Sequence, residues 1–107
     1  MRWLWKGHSE GIKAGAGSQQ LKDILIPGED WQLVADGYKF TEGPAANAKG
    51  ELFFTDIPNN VIHKIGLDGK VSVFAKETKG ANGLAFGPDG RLFAATREGV
   101  VAYDGEW

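Results

Sequence analysis

Glu42-Gly43-Pro44-Ala45 and Asn82-Gly83-Leu84-Ala85 stand 40 residues apart, and the register between them runs on without a gap. Gly50 falls on Gly90, Leu52 on Leu92 and Phe53 on Phe93, and the turn Ala48-Lys49-Gly50-Glu51 falls on Pro88-Asp89-Gly90-Arg91. Further along the offset contracts to 36, where Asp68-Gly69 meets Asp104-Gly105. A repeat of ~40 residues built from short apolar runs is the signature of a β-propeller blade, four antiparallel strands fanning outward from an axis.

The runs between these landmarks support the reading. Glu51-Leu52-Phe53-Phe54-Thr55, Val61-Ile62-His63-Lys64-Ile65 and Lys70-Val71-Ser72-Val73-Phe74-Ala75 are short and β-rich, and each is bounded by Gly, Asn, Asp or Pro. Asp68-Gly69 sits between two of them, a strong hairpin signal because a tight hairpin turn needs positive φ. Counting from the inside outward, blade one (42–75) should place strands near 42–46, 51–55, 61–66 and 70–75. Blade two (82–107) should place them near 82–86, 91–95 and 99–103, and it should lack its outer strand. Trp31-Gln32-Leu33-Val34-Ala35 reads as a closing strand ahead of blade one. The expected fold is all-β: two blades, about eight short antiparallel strands, within a unit spanning 21–107. Residues 1–20, with Gly15-Ala16-Gly17-Ser18-Gln19-Gln20, read as a flexible N-terminal segment.

Composition excludes several classes of function. The 107 residues carry 12 Lys and Arg against 14 Asp and Glu, a net charge of -2, so no basic excess points to nucleic acid. Cysteine is absent, which removes disulfides and thiolate metal sites. No apolar stretch approaches the ~20 residues that span a bilayer, and the N-terminus lacks the apolar core of a secretory signal. A cytoplasmic location is therefore the expectation.

Phe40-Thr41-Glu42-Gly43-Pro44 followed by Leu52-Phe53-Phe54-Thr55-Asp56-Ile57-Pro58-Asn59-Asn60 resembles the opening blade of the gluconolactonase and regucalcin family of lactonases. Ala81-Asn82-Gly83-Leu84-Ala85-Phe86 and Pro88-Asp89-Gly90-Arg91-Leu92 extend the resemblance to the end of the chain. It implies a six-bladed propeller with a divalent ion, usually calcium (alternatively zinc or magnesium), on its axis. By that resemblance Glu42 is a metal ligand on an innermost strand. Asn82 matches a family metal-binding triplet that normally lies in a later blade, which makes it the second candidate. The implied chemistry is hydrolysis of sugar lactones or related esters, in which a metal polarises the ester carbonyl and activates water. Calcium takes 6–8 oxygen ligands, more than Glu42 and Asn82 of one chain supply.

Other candidates have ordinary structural readings. Asp56 and Asn59 suit turn formation, since both residue types bond their own backbone. His63 lies mid-strand, where a packed or rim position is expected. Gly7-His8-Ser9-Glu10-Gly11 matches the nucleophile-elbow pattern, but that motif works only on a strained strand-to-helix turn, and Gly15 and Gly17 soon after it oppose a helix. Two readings remain: a lactonase-like enzyme, or a propeller module with a binding or assembly role and no catalysis. Two blades leave both outer faces uncovered, and repeat folds need ~3 units for stability. The chain is thus expected either to be part of a longer one or to assemble with itself, three copies closing a six-bladed ring.

Overall fold

The structure, a computed structural model, describes residues 23–104; the expected N-terminal segment 1–20 lies outside them, as do His8 and Ser9. Contacts separate residues 23–36 from a unit over 37–104 that holds every strand among the described residues. That unit contains two antiparallel sheets. One has four strands in order β1 (Thr41–Ala46), β2 (Leu52–Asp56), β3 (Val61–Ile65) and β4 (Val71–Lys76). The other has three, β5 (Leu84–Phe86), β6 (Leu92–Thr96) and β7 (Gly99–Tyr103). Each strand pairs only with its sequence neighbours, the meander a propeller blade requires. Among the described residues no helix is long and apolar enough to cross a membrane.

Three turns of one kind build both sheets. Gly50 N–H donates to Asn47 O at 3.0 Å, Gly69 N–H to Gly66 O at 2.9 Å and Gly90 N–H to Gly87 O at 3.0 Å. In each the closing glycine has a φ of 78–88°, the left-handed conformation that a three-residue hairpin loop places there. An Asn or Asp side chain locks each turn: Asn47 Oδ1 accepts from Lys49 and Glu51, Asp68 Oδ1 from Lys70 and Asp89 Oδ1 from Arg91.

The core lies between the two sheets. Phe53, Ile62, Ala75, Ala81, Leu92 and Ala94 are buried there, with Phe74, Leu84, Phe86 and Tyr103 packed against them. Period-2 alternation selects this set: Phe53 and Phe54 leave β2 on opposite faces. Phe53 meets Phe74 and Phe86 edge-on at 5.0 and 5.1 Å between centroids. Phe54 turns away and packs under Tyr38 at 5.0 Å. The two sheets also converge at their inner strands, where β1 lies against β5.

One strand expectation fails. Residues 31–35 form no strand, and Trp31 and Val34 are 43% and 46% exposed. Local alternation gives a segment strand propensity, but a strand exists only where another edge takes up its N–H and C=O groups. No strand pairing of 31–35 occurs among the described residues, and β7 pairs with β6 alone.

Candidate functional site

The bulge in the innermost strand is what positions the site. β1 pairs regularly with β2 at Glu42↔Thr55 and again at Ala45↔Phe53, and the register slips between them at Gly43-Pro44. The repeat does likewise: Asn82 N–H donates to Ala95 O and Ala95 N–H to Gly83 O, both at 2.9 Å, ahead of β5. Bulges re-aim side chains at sheet edges. Here they occur at the same place in both blades, beside the two residues singled out as metal ligands.

Glu42 and Asn82 are brought together through their backbones. Thr55, fully buried on β2, holds its hydroxyl 3.0 Å from Glu42 O and 3.1 Å from Asn82 O. Gly43, at φ +55°, comes so close to the second blade that a Cβ built on it would lie 2.0 Å from Asn82 O. Only a residue without a side chain permits that approach. The glycine of Glu-Gly-Pro and the threonine that ends Leu-Phe-Phe-Thr thus join the inner ends of the two blades. No periodicity in the sequence marks Thr55 for this role.

Glu42 is half-buried and Asn82 exposed. One Glu42 carboxylate oxygen receives the Gly43 N–H at 3.4 Å, a long contact that leaves the carboxylate most of its acceptor capacity. The donors are of the right chemistry for a hard cation, carboxylate and amide oxygen. Their number is not: among the described residues no three His, Cys, Asp or Glu side chains are grouped so as to hold a metal.

Asp56 and Asn59, expected as turn formers, do more than turn the chain. Asp56 is 1% exposed. Its carboxylate accepts N–H groups from Phe40 at 3.0 Å and Lys39 at 3.3 Å, sixteen and seventeen residues upstream, and the Asn59 amide at 2.7 Å. Burial pushes the Asp56 carboxyl up, but those hydrogen bonds and nearby His63 outweigh it and hold it below its ordinary value. Asp56 is therefore committed to fastening the lead-in segment onto blade one.

His63 is a packed residue, as its mid-strand position implies. It stacks on Phe54 at 5.1 Å and meets Tyr38 at 4.9 Å. Burial lowers its proton affinity, partly offset by the Asp56 charge. A histidine whose folded pKa is depressed contributes stability above its ordinary value of 6.5 that is lost as pH falls through it. A His63→Phe variant is accordingly expected to show a flatter stability profile than wild type just below that pH, measured by urea unfolding; equal slopes would exclude His63 as the source.

Asn59, Asn60, Val61, Lys76, Glu77 and Lys79 line an open depression of about 590 Å³ at the same end of the sheets. It lies over β3 and β4, outward of Glu42, and Lys79 is engaged by Glu98 at 2.8 Å.

Comparison with known proteins sets this geometry in context. No family profile matches the chain. A curated gluconolactonase from Zymomonas mobilis is 30% identical over 92 residues, covering 73% of this chain and 26% of that protein. The solved gluconolactonase of Xanthomonas campestris superposes with a TM-score of 0.64 at 26% identity, over 68% of this chain and 26% of its own. A structural-genomics target classed among gluconolactonases superposes with a TM-score of 0.55 at 30% identity, over 59% and 22% of the two chains. The chain spans about a quarter of the length of these proteins. In sequence and in fold it is a partial-length relative of the gluconolactonase-type β-propellers.

Proposed function

We propose that this chain contributes the inner wall of a lactonase-type site that hydrolyses sugar lactones or related esters with a bound divalent ion. The observation behind this reading is the joining of Glu42 and Asn82 across the blade junction by Thr55 and Gly43, in a chain similar to gluconolactonases. Glu42 would offer up to two carboxylate oxygens and Asn82 one amide oxygen, with the remaining donors coming from further blades. The chemistry such an ion supplies is polarisation of the ester carbonyl. The chain's own part is to fix the donors, since a bulge and a buried hydroxyl leave the backbone at Glu42 and Asn82 little freedom.

Calorimetric titration with calcium tests the assignment. Glu42→Gln is expected to weaken binding about tenfold or more, whereas Asp56→Asn should leave it nearly unchanged while the protein stays folded. Equal losses in both variants would remove Glu42 as a ligand. The alternative reading is a non-catalytic propeller module with a binding or assembly role. Absence of calcium, zinc and magnesium binding, together with no hydrolysis of gluconolactone, would establish that reading instead.

A further inference from the structure

Three non-glycine residues among those described have left-handed backbone, Asn60 at φ +54°, Glu77 at +54° and Lys79 at +57°. All three line the open depression of about 590 Å³, together with Asn59, Val61 and Lys76. Every lining residue belongs to blade one or to the segment that joins the blades. Asparagine visits that conformation readily, but glutamate and lysine reach it only against a steric cost. Such backbone persists where its surroundings over-determine it, and it gathers at ligand-binding sites. Here the fastening is visible. Asn60 O accepts the Thr78 N–H at 3.1 Å, Asn60 Oδ1 the Gly80 N–H at 2.7 Å and Lys79 O the Arg97 N–H at 3.1 Å. The β2–β3 turn, the segment joining the blades and the β6–β7 turn are thus pinned to one another beside the depression.

The same bonds decide which groups are left to a ligand. A backbone N–H donates only to an acceptor, so the bond from Gly80 holds the Asn60 amide by its oxygen and leaves its NH₂ to donate. Among the described residues no hydrogen bond or ion pair takes up that NH₂ or the Lys76 ammonium. Lys79 meets Glu98 at 2.8 Å, but both side chains are more than half exposed, at 59% and 62%. An exposed pair of this kind is weak enough to yield to a competing anion. Glu77 adds one carboxylate to the lining, an acceptor for hydroxyl groups.

We propose that this depression binds a small polyhydroxylated anion. Lys76, Lys79 and the Asn60 NH₂ hold its carboxylate or phosphate oxygens, and Glu77 accepts from its hydroxyls. The volume is that of a site for one small molecule. The depression lies outward of Glu42 and uses neither Glu42 nor Asn82, so the proposal does not rest on the lactonase reading.

Heteronuclear NMR of the whole chain, in the presence of EDTA, tests it by titration with gluconate, glucose 6-phosphate or neutral glucitol. At least one of the two anions is expected to give saturable shifts of the Asn60, Glu77 and Lys79 amides, and the tighter one tells carboxylate from phosphate. Glucitol should give none. Lys76→Met, at an exposed position, removes a charged donor and should weaken the binding about tenfold. Lys49→Met, in an exposed turn, should leave it as it was. No saturable binding of either anion overturns the proposal, as does glucitol binding as tightly as the anions or a Lys76→Met chain that binds like wild type. Glu42→Gln should leave anion binding intact, so failure here and failure of the calcium titration are separate results.

Discussion

Gly43→Ala is expected to destabilise the blade pair by about 3 kcal/mol or more, since among the described glycines it is the one whose added Cβ would come nearest to another atom. Two costs combine. Alanine at φ +55° pays about 1–2 kcal/mol for a left-handed backbone. The added Cβ, 2.0 Å from Asn82 O, must also push blade two off blade one, and backbone cannot yield as a flexible side chain can. Gly90→Ala separates the two costs. It has φ +84° with no neighbour within 4 Å, so it bears the first cost alone. In a domain of this size 1 kcal/mol moves the melting temperature by roughly 4–8 °C, so the two variants should melt well apart. Equal melting temperatures would mean that the sheets do not meet at Gly43.

The same glycine shows what the sequence could and could not convey. The 40-residue repeat, the alternation about Phe53 and the three glycine-closed turns are local signals, and strands β1 to β7 lie within two residues of where those signals put them. Strand β5 begins two residues late because Asn82 and Gly83 form a bulge whose hydrogen bonds to Ala95 continue the ladder irregularly. The segment 31–35 shows the limit of local pattern, since alternation cannot create the edge that a strand must pair with. Thr55 and Asp56 show another limit. Each acts on backbone groups far away in the chain, Thr55 at Asn82 and Asp56 at Lys39 and Phe40, and such reach leaves no periodicity to read. For the site, residue type and resemblance singled out Glu42 and Asn82, but only the structure shows the hydroxyl that holds their backbones together.

Asp56→Ala should cost about 3 kcal/mol, because it leaves the N–H groups of Lys39 and Phe40 and the Asn59 amide without the carboxylate that accepts them. Asp56→Asn should cost less. Asparagine keeps one accepting oxygen, and the Asn59 amide can turn over to present its own oxygen to the new NH₂ group. The pH dependence identifies the carboxylate itself. Its folded-state pKa lies below the ordinary 3.8, so the stability it contributes is complete above that pH and is lost as pH falls through 3.8 toward the folded value. Wild type and Asp56→Asn should therefore differ by a constant amount near neutrality, with the difference shrinking below 3.8. Because Asp56 also raises the proton affinity of His63, the comparison is cleanest in a His63→Phe background, where that slope is absent. Unfolding by urea from neutral to acid pH supplies both curves. Profiles that stay parallel through the acid range would show that Asp56 has the same pKa in the folded and unfolded chain, so that the hydrogen bonds from Lys39 and Phe40 favour its charged form no more than water does.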